Sequence, residues 1–273
     1  MKITGRRIRE FQDRIFSWWE HNARDLPWRR TRDPYRILVS EVMLQQTQVS
    51  RVLPKYEEFL HTFPTVGSLA SASPAHILRL WKGLGYNRRA LYLKRAAESV
   101  VTDYDGTFPQ DEALLVKLPG LGRYTARALM VFAFEKDVAM VDTNIRQIIT
   151  HFFYNDQPQK DNVIQQTADA LLPHGRSWDW HQALMDYGAL ALEKPKKIIR
   201  PKKPAVPFRQ SHRFYRGKVM DLLREGTISE GALQNLFLQD YQVSLEFTST
   251  ILDGLIKDRL VVRTGQTLHL PEK

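Results

Sequence analysis

Residues 118–144, LPGLGRYTARALMVFAFEKDVAMVDTN, constrain this chain more than any other stretch. They join a glycine pair, an apolar helical run and, directly before Thr143, the acidic Asp142. In Leu118-Pro119-Gly120-Leu121-Gly122, the two glycines can take backbone angles closed to other residues and let a phosphate come near. Arg123, Tyr124 and Thr125 then open a helix, whose unpaired N–H groups and dipole attract an anion. A grip of that kind uses the backbone alone and is indifferent to base sequence. The same residues also read as an ordinary joint between two helices, and the neighbouring segments have to decide.

Helical spacing dominates those neighbours. Ile8, Phe11, Ile15 and Trp18 or Trp19 predict an amphipathic helix over residues 6–21. Residues 24–28 break it as a loop, because the residue before Pro27 is biased away from helix. Further helices are expected over 35–44 and 49–59, where Pro54 demands a kink or a helix start. Ser73 before Pro74 signals another running to Trp81. Gly83-Leu84-Gly85-Tyr86 reads as a tight loop with an aromatic tip. A long helix over 88–104 is closed by Gly106, a short one starts at Asp111, and three more cover 145–152, 163–172 and 180–192. Strand-like alternation is nearly absent, so the first two hundred residues read as all-α.

Composition adds direction. Forty basic against thirty acidic residues give a formal charge of +10, which points to a polyanionic partner. Six of the basic residues stand in 194–207 with four prolines and no acid, a run too stiff and charged for a packed element. It reads as a linker, lying along phosphates or simply solvated. Residues 208–273 then change character, with three short helical patterns and a hairpin at 260–262 and 268–270 around Thr264-Gly265. That order is the order of a winged helix, a fold that binds nucleic acid or protein. No run approaches the length of a membrane span and the N-terminus lacks a signal-peptide core, so a cytoplasmic, nucleoid-associated protein is expected. The chain has no cysteine, which excludes disulfides, zinc fingers and a thiolate-held iron–sulfur cluster.

Two acidic residues have apolar or amide neighbours: Glu41 in LVSEVML and Asp142 in AMVDTN. Burying a carboxylate is unfavourable unless it is paired or protonated, and burial raises its pKa. The alternatives are an exposed Glu41 on an amphipathic helix and an Asp142 acting only as a helix cap.

Six motifs in order carry a family resemblance: Leu26-Pro27-Trp28, SEVMLQQTQV at 40–49, WKGLGY at 81–86, residues 118–125, Val141-Asp142-Thr143-Asn144, and QALMDYG at 182–188. Together they resemble the MutY adenine DNA glycosylases of the helix-hairpin-helix superfamily, over residues 6–192. The resemblance implies a two-lobed helical domain at 1–193, with a six-helix lobe near 29–135 and a second lobe from 1–28 and 136–193. A winged-helix-like α+β domain at 208–273 follows the linker.

The resemblance also implies roles. Glu41 matches the acid that protonates the purine N7, since adenine leaves poorly as an anion. Asp142 matches the carboxylate that stabilises the oxocarbenium-like sugar, electrostatically or through a transient covalent bond. Tyr124 is placed beside the sugar, where strand-cleaving relatives carry lysine, so a monofunctional glycosylase is expected. Asn144 positions water and Glu41. Arg24, Trp28 and Gln182 line the adenine pocket, and Gln45 and Tyr86 wedge into the gap and face the opposing base. Trp28 and Tyr86, beside proline and glycine loops, are expected to be exposed. Gly120, Gly122, Arg123 and Thr125 hold phosphate.

The implied partner is double-stranded DNA with adenine opposite 8-oxoguanine or guanine, bound by a monomer. The family's usual [4Fe–4S] cluster is not expected, nor any other cofactor. In place of the usual damage-reading domain, residues 208–273 read as a winged helix, so Gln45, Tyr86 and neighbouring loops are expected to read 8-oxoguanine alone. A thymine/uracil mismatch glycosylase and a non-catalytic DNA-binding protein are the alternatives.

Overall fold

The computed structural model describes residues 3–192 and 207–272. The basic linker expected at 194–207 therefore lies outside the described residues, apart from Pro207. In chain order the elements are α1 (Gly5–Asn22), α2 (Pro34–Leu44), α3 (Val49–Thr62), α4 (Val66–Ser71), α5 (Pro74–Leu80), α6 (Arg88–Asp103) and α7 (Glu112–Leu115). They continue with α8 (Arg123–Phe132), α9 (Thr143–Tyr154), α10 (Asp161–Leu171), α11 (Ser177–Leu190), α12 (His212–Glu225), β1 (Ile228–Ser229), α13 (Glu230–Tyr241), α14 (Leu245–Lys257), β2 (Val262–Thr264) and β3 (Thr267–His269). A 3-10 turn covers Pro27–Arg29.

Short polar residues start these helices, each accepting an N–H from the first turn: Thr4, Ser73, Asp111, Asp142, Ser211, Ser229 and Ser244. Helix α4 is absent from the sequence expectation because six residues hold too little periodicity. Its signal was the reciprocal capping box of Thr65 and Ser68. Pro54 sits inside α3 and not at its start.

By contacts the chain forms two units, one from residues 1–42 and 107–198, the other from 43–106 and 199–273. These units cut across the lobes expected at 29–135 and at 1–28 with 136–193. The grouping takes the hairpin and α8 together with α9 and α11. In the first unit Phe11 and Ile15 of α1 pack with Ile145, Ile148, Ile149 and Phe153 of α9, Ile164 and Leu171 of α10, and Trp180 and Leu184 of α11. Rings of Phe11 and Trp180 meet edge to face at 5.7 Å.

In the second unit Phe59, Leu69, Ile77, Leu78, Trp81 and Leu93 are fully buried. The C-terminal part has the winged-helix order, three helices with a small antiparallel sheet ordered β1-β3-β2. The expected hairpin is shorter, pairing Val262 with His269 and Thr264 with Thr267, and the unexpected β1 adds Ile228 opposite Leu268. A two-residue strand carries no periodicity that a sequence could show.

Candidate active site

Glu41 stands on α2 among Ile37, Leu38, Val39, Ser40 and Val42, all buried, and is itself only 8% exposed. An exposed position on an amphipathic helix is thereby ruled out. Burial pushes its carboxyl from 4.5 up to about 7; a hydrogen bond from the Tyr124 hydroxyl opposes the rise and the charge of Asp142 adds to it. Burial, then the charges of Glu41 and Asp142, drive Tyr124 well above its ordinary 10, so its hydroxyl keeps its proton and donates.

Asp142 is the N-cap of α9. Its Oδ1 accepts from the Ile145 N–H at 2.7 Å and its Oδ2 from Asn144 Nδ2 at 3.2 Å. Capping and a charge role coincide here, because the donors and helix dipole that cap the helix also favour the ionised form. Burial nevertheless pushes this carboxyl up, against those hydrogen bonds. Asn144, expected to position water and Glu41, gives one amide N–H to Asp142.

The strand of chain leading to Asp142 is held from behind by residues without an expected role. The Met140 N–H donates to His181 Nε2 at 3.0 Å, and His181 Nδ1 donates to the Ser177 carbonyl at 2.7 Å. That pair of bonds fixes one neutral tautomer, and burial lowers the ring's pKa to about 4. Gly188 on α11 faces α9 so closely that a Cβ would lie 2.7 Å from Asn144 Cβ and 3.2 Å from Ile148 Cδ1.

Asp186, one turn after Gln182, is completely buried and likewise unassigned from sequence. It accepts from Trp19 Nε1 at 3.1 Å, the Arg24 N–H at 3.0 Å, Arg24 Nε at 2.5 Å, and Arg29 at 2.7 Å to each carboxylate oxygen. Burial alone would raise its pKa, but Arg29 and Arg24 together hold it below the usual carboxylate range. Arg24 thus gives Asp186 its Nε and its backbone N–H.

Trp28 is buried, 8% exposed, which corrects the expectation of exposure. Pro27 begins a tight 3-10 turn in place of an open loop, and the ring turns inward with it. Gln182 is 5% exposed, and among the described residues its side-chain amide has no hydrogen-bond partner. Its amide is not among the fully buried polar atoms that lack a partner, so it keeps some contact with solvent and is open to a polar ligand.

In the hairpin, Gly120 takes a left-handed φ of +80°. Gly122 does not need glycine for its backbone: φ −90° and ψ 173° are open to any residue. A Cβ there would meet nothing within 4 Å, and no side chain caps α8, so the helix start is open to solvent. Arg123 is exposed and shares Glu112 with Arg127. Thr125 is buried, 3% exposed, so its hydroxyl is withdrawn from solvent. In the second unit, Tyr86 stands 42% exposed as expected, and Gln45 is half-buried.

The family's cluster finds no ligands, since none of the 273 residues carries a thiol. Where α11 ends, the Leu192 N–H bonds the Tyr187 carbonyl at 3.0 Å and its side chain packs on the first unit's core.

Residues 39–173 match the family described as HhH-GPD superfamily base excision DNA repair protein. An adenine DNA glycosylase of Mycolicibacterium smegmatis is 35% identical over 267 residues, 89% of this chain and 91% of that one. A thymine/uracil-DNA glycosylase of Methanothermobacter thermautotrophicus is 33% identical over 205 residues, 74% of this chain and 90% of that one. The solved structure of a thermostable thymine-DNA glycosylase aligns with a TM-score of 0.65 at 32% identity, covering 69% of this chain and 89% of that one. A helical fold with these hairpin and carboxylate motifs, matched over nine-tenths of the Mycolicibacterium protein, means that the chain belongs to the HhH-GPD superfamily of base excision DNA repair proteins, among its adenine DNA glycosylases, and lacks the cluster cysteines.

Proposed function

We propose that this enzyme excises adenine mispaired with 8-oxoguanine or guanine in double-stranded DNA, as a monomer and without a cofactor, and leaves an intact abasic site. The single observation that carries the reading is the pair Glu41 and Asp142. Desolvation holds the first near pH 7, while helix N–H donors surround the second. Such a pair shares one proton at neutral pH, with the acid and the charge on different residues.

Glu41 gives its proton to N7 of the extruded purine, and the glycosidic electron pair leaves with the base. Asp142, ionised against the α9 N-terminus, stabilises the positive sugar until water adds. Tyr124 offers a hydroxyl and no amine, so no Schiff base forms and the strand stays whole. Gln182, with its unspent amide, reads the base beside Arg24 and Trp28. The open start of α8 and the Gly120–Gly122 turn hold a backbone phosphate.

Incubation with a duplex bearing adenine opposite 8-oxoguanine, followed by alkali, tests this. Strand breaks are expected only after alkali, and Asp142→Asn should bind without cutting. Breaks without alkali would overturn the monofunctional reading. The Methanothermobacter relative favours a second reading, excision of thymine or uracil from mismatches. Turnover of those duplexes in preference to adenine would establish it.

A further inference from the structure

The loop that presents Tyr86 is unusual in its backbone. Gly83 and Gly85 have φ of +92° and +70°, and Tyr86 itself has φ +45°. A bulky residue holds that angle only where its surroundings over-determine it. From one side the helical part of the second unit does so: Trp81 Nε1 donates to the Gly85 carbonyl at 3.1 Å, and Arg89 to the Leu84 and Gly85 carbonyls at 2.9 and 3.0 Å.

From the other side the C-terminal module grips three successive residues. The Arg213 guanidinium lies 4.4 Å from the Tyr86 ring centroid and donates to its hydroxyl at 3.1 Å. Arg224 donates to Asn87 Oδ1 at 3.0 Å and to the Leu78 carbonyl at 2.9 Å. Asp258, itself bonded by Arg216, meets Arg88 at 3.4 Å. Arg213, Arg216 and Arg224 recur on α12 at helical spacing, so one face of that helix reaches the loop. A planar guanidinium can stack on a ring and donate in the same pose, which an ammonium cannot. Among the described residues Arg213 makes no ion pair, so its charge is not spent elsewhere.

We propose that Arg213 is a positioning residue for Tyr86, and that the C-terminal module takes part in reading the base opposite adenine by gripping the loop that faces it. This rests on the reading of Tyr86 as the ring that meets the opposing base. A ring fixed beforehand loses less freedom on binding. Removing the stack and hydrogen bond should therefore weaken lesion binding on the order of tenfold.

The test measures dissociation constants of the full chain on three duplexes: a stable abasic analogue opposite 8-oxoguanine, the same analogue opposite guanine, and an undamaged duplex. Arg213→Ala should lose about tenfold on the first and little on the last, and Arg213→Lys should not restore it. In a Tyr86→Ala background, Arg213→Ala should add no further loss. A uniform loss on all three duplexes with a shallower salt dependence would overturn the proposal in favour of a phosphate contact. An additive loss in the Tyr86→Ala background, or no loss at all, would overturn it outright. Arg213 is exposed, so Arg213→Ala should melt with the parent. Binding to the analogue needs no excision, so a parent that fails to release adenine refutes the proposed function while this comparison still reads.

Discussion

Replacing Glu41 with glutamine probes the chemistry and the energetics together. The carboxyl titrates at about 7 in the fold against 4.5 ordinarily. With the folded pKa above the unfolded one, the bound proton stabilises the fold fully below about pH 4.5, and that contribution is lost as pH rises through about 7. Relative to acid pH, the parent then loses about 1 kcal/mol at pH 5, where Glu41 is still protonated in the fold, and about 3 kcal/mol at pH 8, where it is mostly charged. Glutamine resembles the protonated acid in shape and does not titrate. The variant should therefore gain on the parent by about 2 kcal/mol between those two pH values. Urea unfolding at several pH values between them measures the gap, with equal m-values required. On duplexes with adenine opposite 8-oxoguanine the variant should bind but release no base at any pH. The parent's single-turnover rate should fall with increasing pH above about 7. A stability gap that is flat with pH, or that closes as pH rises, would refute burial of a protonated Glu41. Adenine release by the variant would refute its role as the acid.

Three further outcomes follow from the same unit. Asp186→Ala leaves Arg29 buried without its carboxylate and should destabilise the fold by about 3–5 kcal/mol, read by chemical denaturation; a loss below about 1 kcal/mol would mean the cluster relaxes to solvent. Gly188→Ala places a methyl 2.7 Å from Asn144 Cβ; it should push the start of α9 away, lowering stability by about 1–3 kcal/mol and turnover more than binding, and unchanged turnover would separate Asn144 from the chemistry. His181 is held neutral, its pKa lowered to about 4 from 6.5, so its contribution to stability is complete above about pH 6.5 and is lost as pH falls toward about 4. His181→Gln should remove that part of the acid dependence in a melting series, and an unchanged series would place the acid sensitivity elsewhere.

The positions of Glu41 and Asp142 in apolar segments, the glycine pair before Arg123, and the tyrosine at 124 were all legible in the chain, because each depends on local chemistry. So were the helix starts at Ser73 and Asp111, since a helix start needs a short acceptor within four residues. Family resemblance, resting on six ordered motifs, turned those local signals into a site. Other features had no local signal. Asp186 looks like any acid in an amphipathic helix until Arg24 and Arg29, some 160 residues earlier, converge on it. Trp28 looked exposed because Pro27 suggests an open loop, and only packing shows the turn closing inward. His181 and Gly188 gain their roles from α9, which no spacing within α11 reveals.

The sequence by itself determined which residue types could do acid and charge chemistry, where helices begin, and that no thiol could hold a cluster. Tertiary structure decided how far Glu41 is removed from water, which arginines are spent on Asp186, and that Arg213 lies over Tyr86. The physical reason is range: capping and periodicity act within a few residues, whereas desolvation and ion pairing depend on groups brought together across the whole chain.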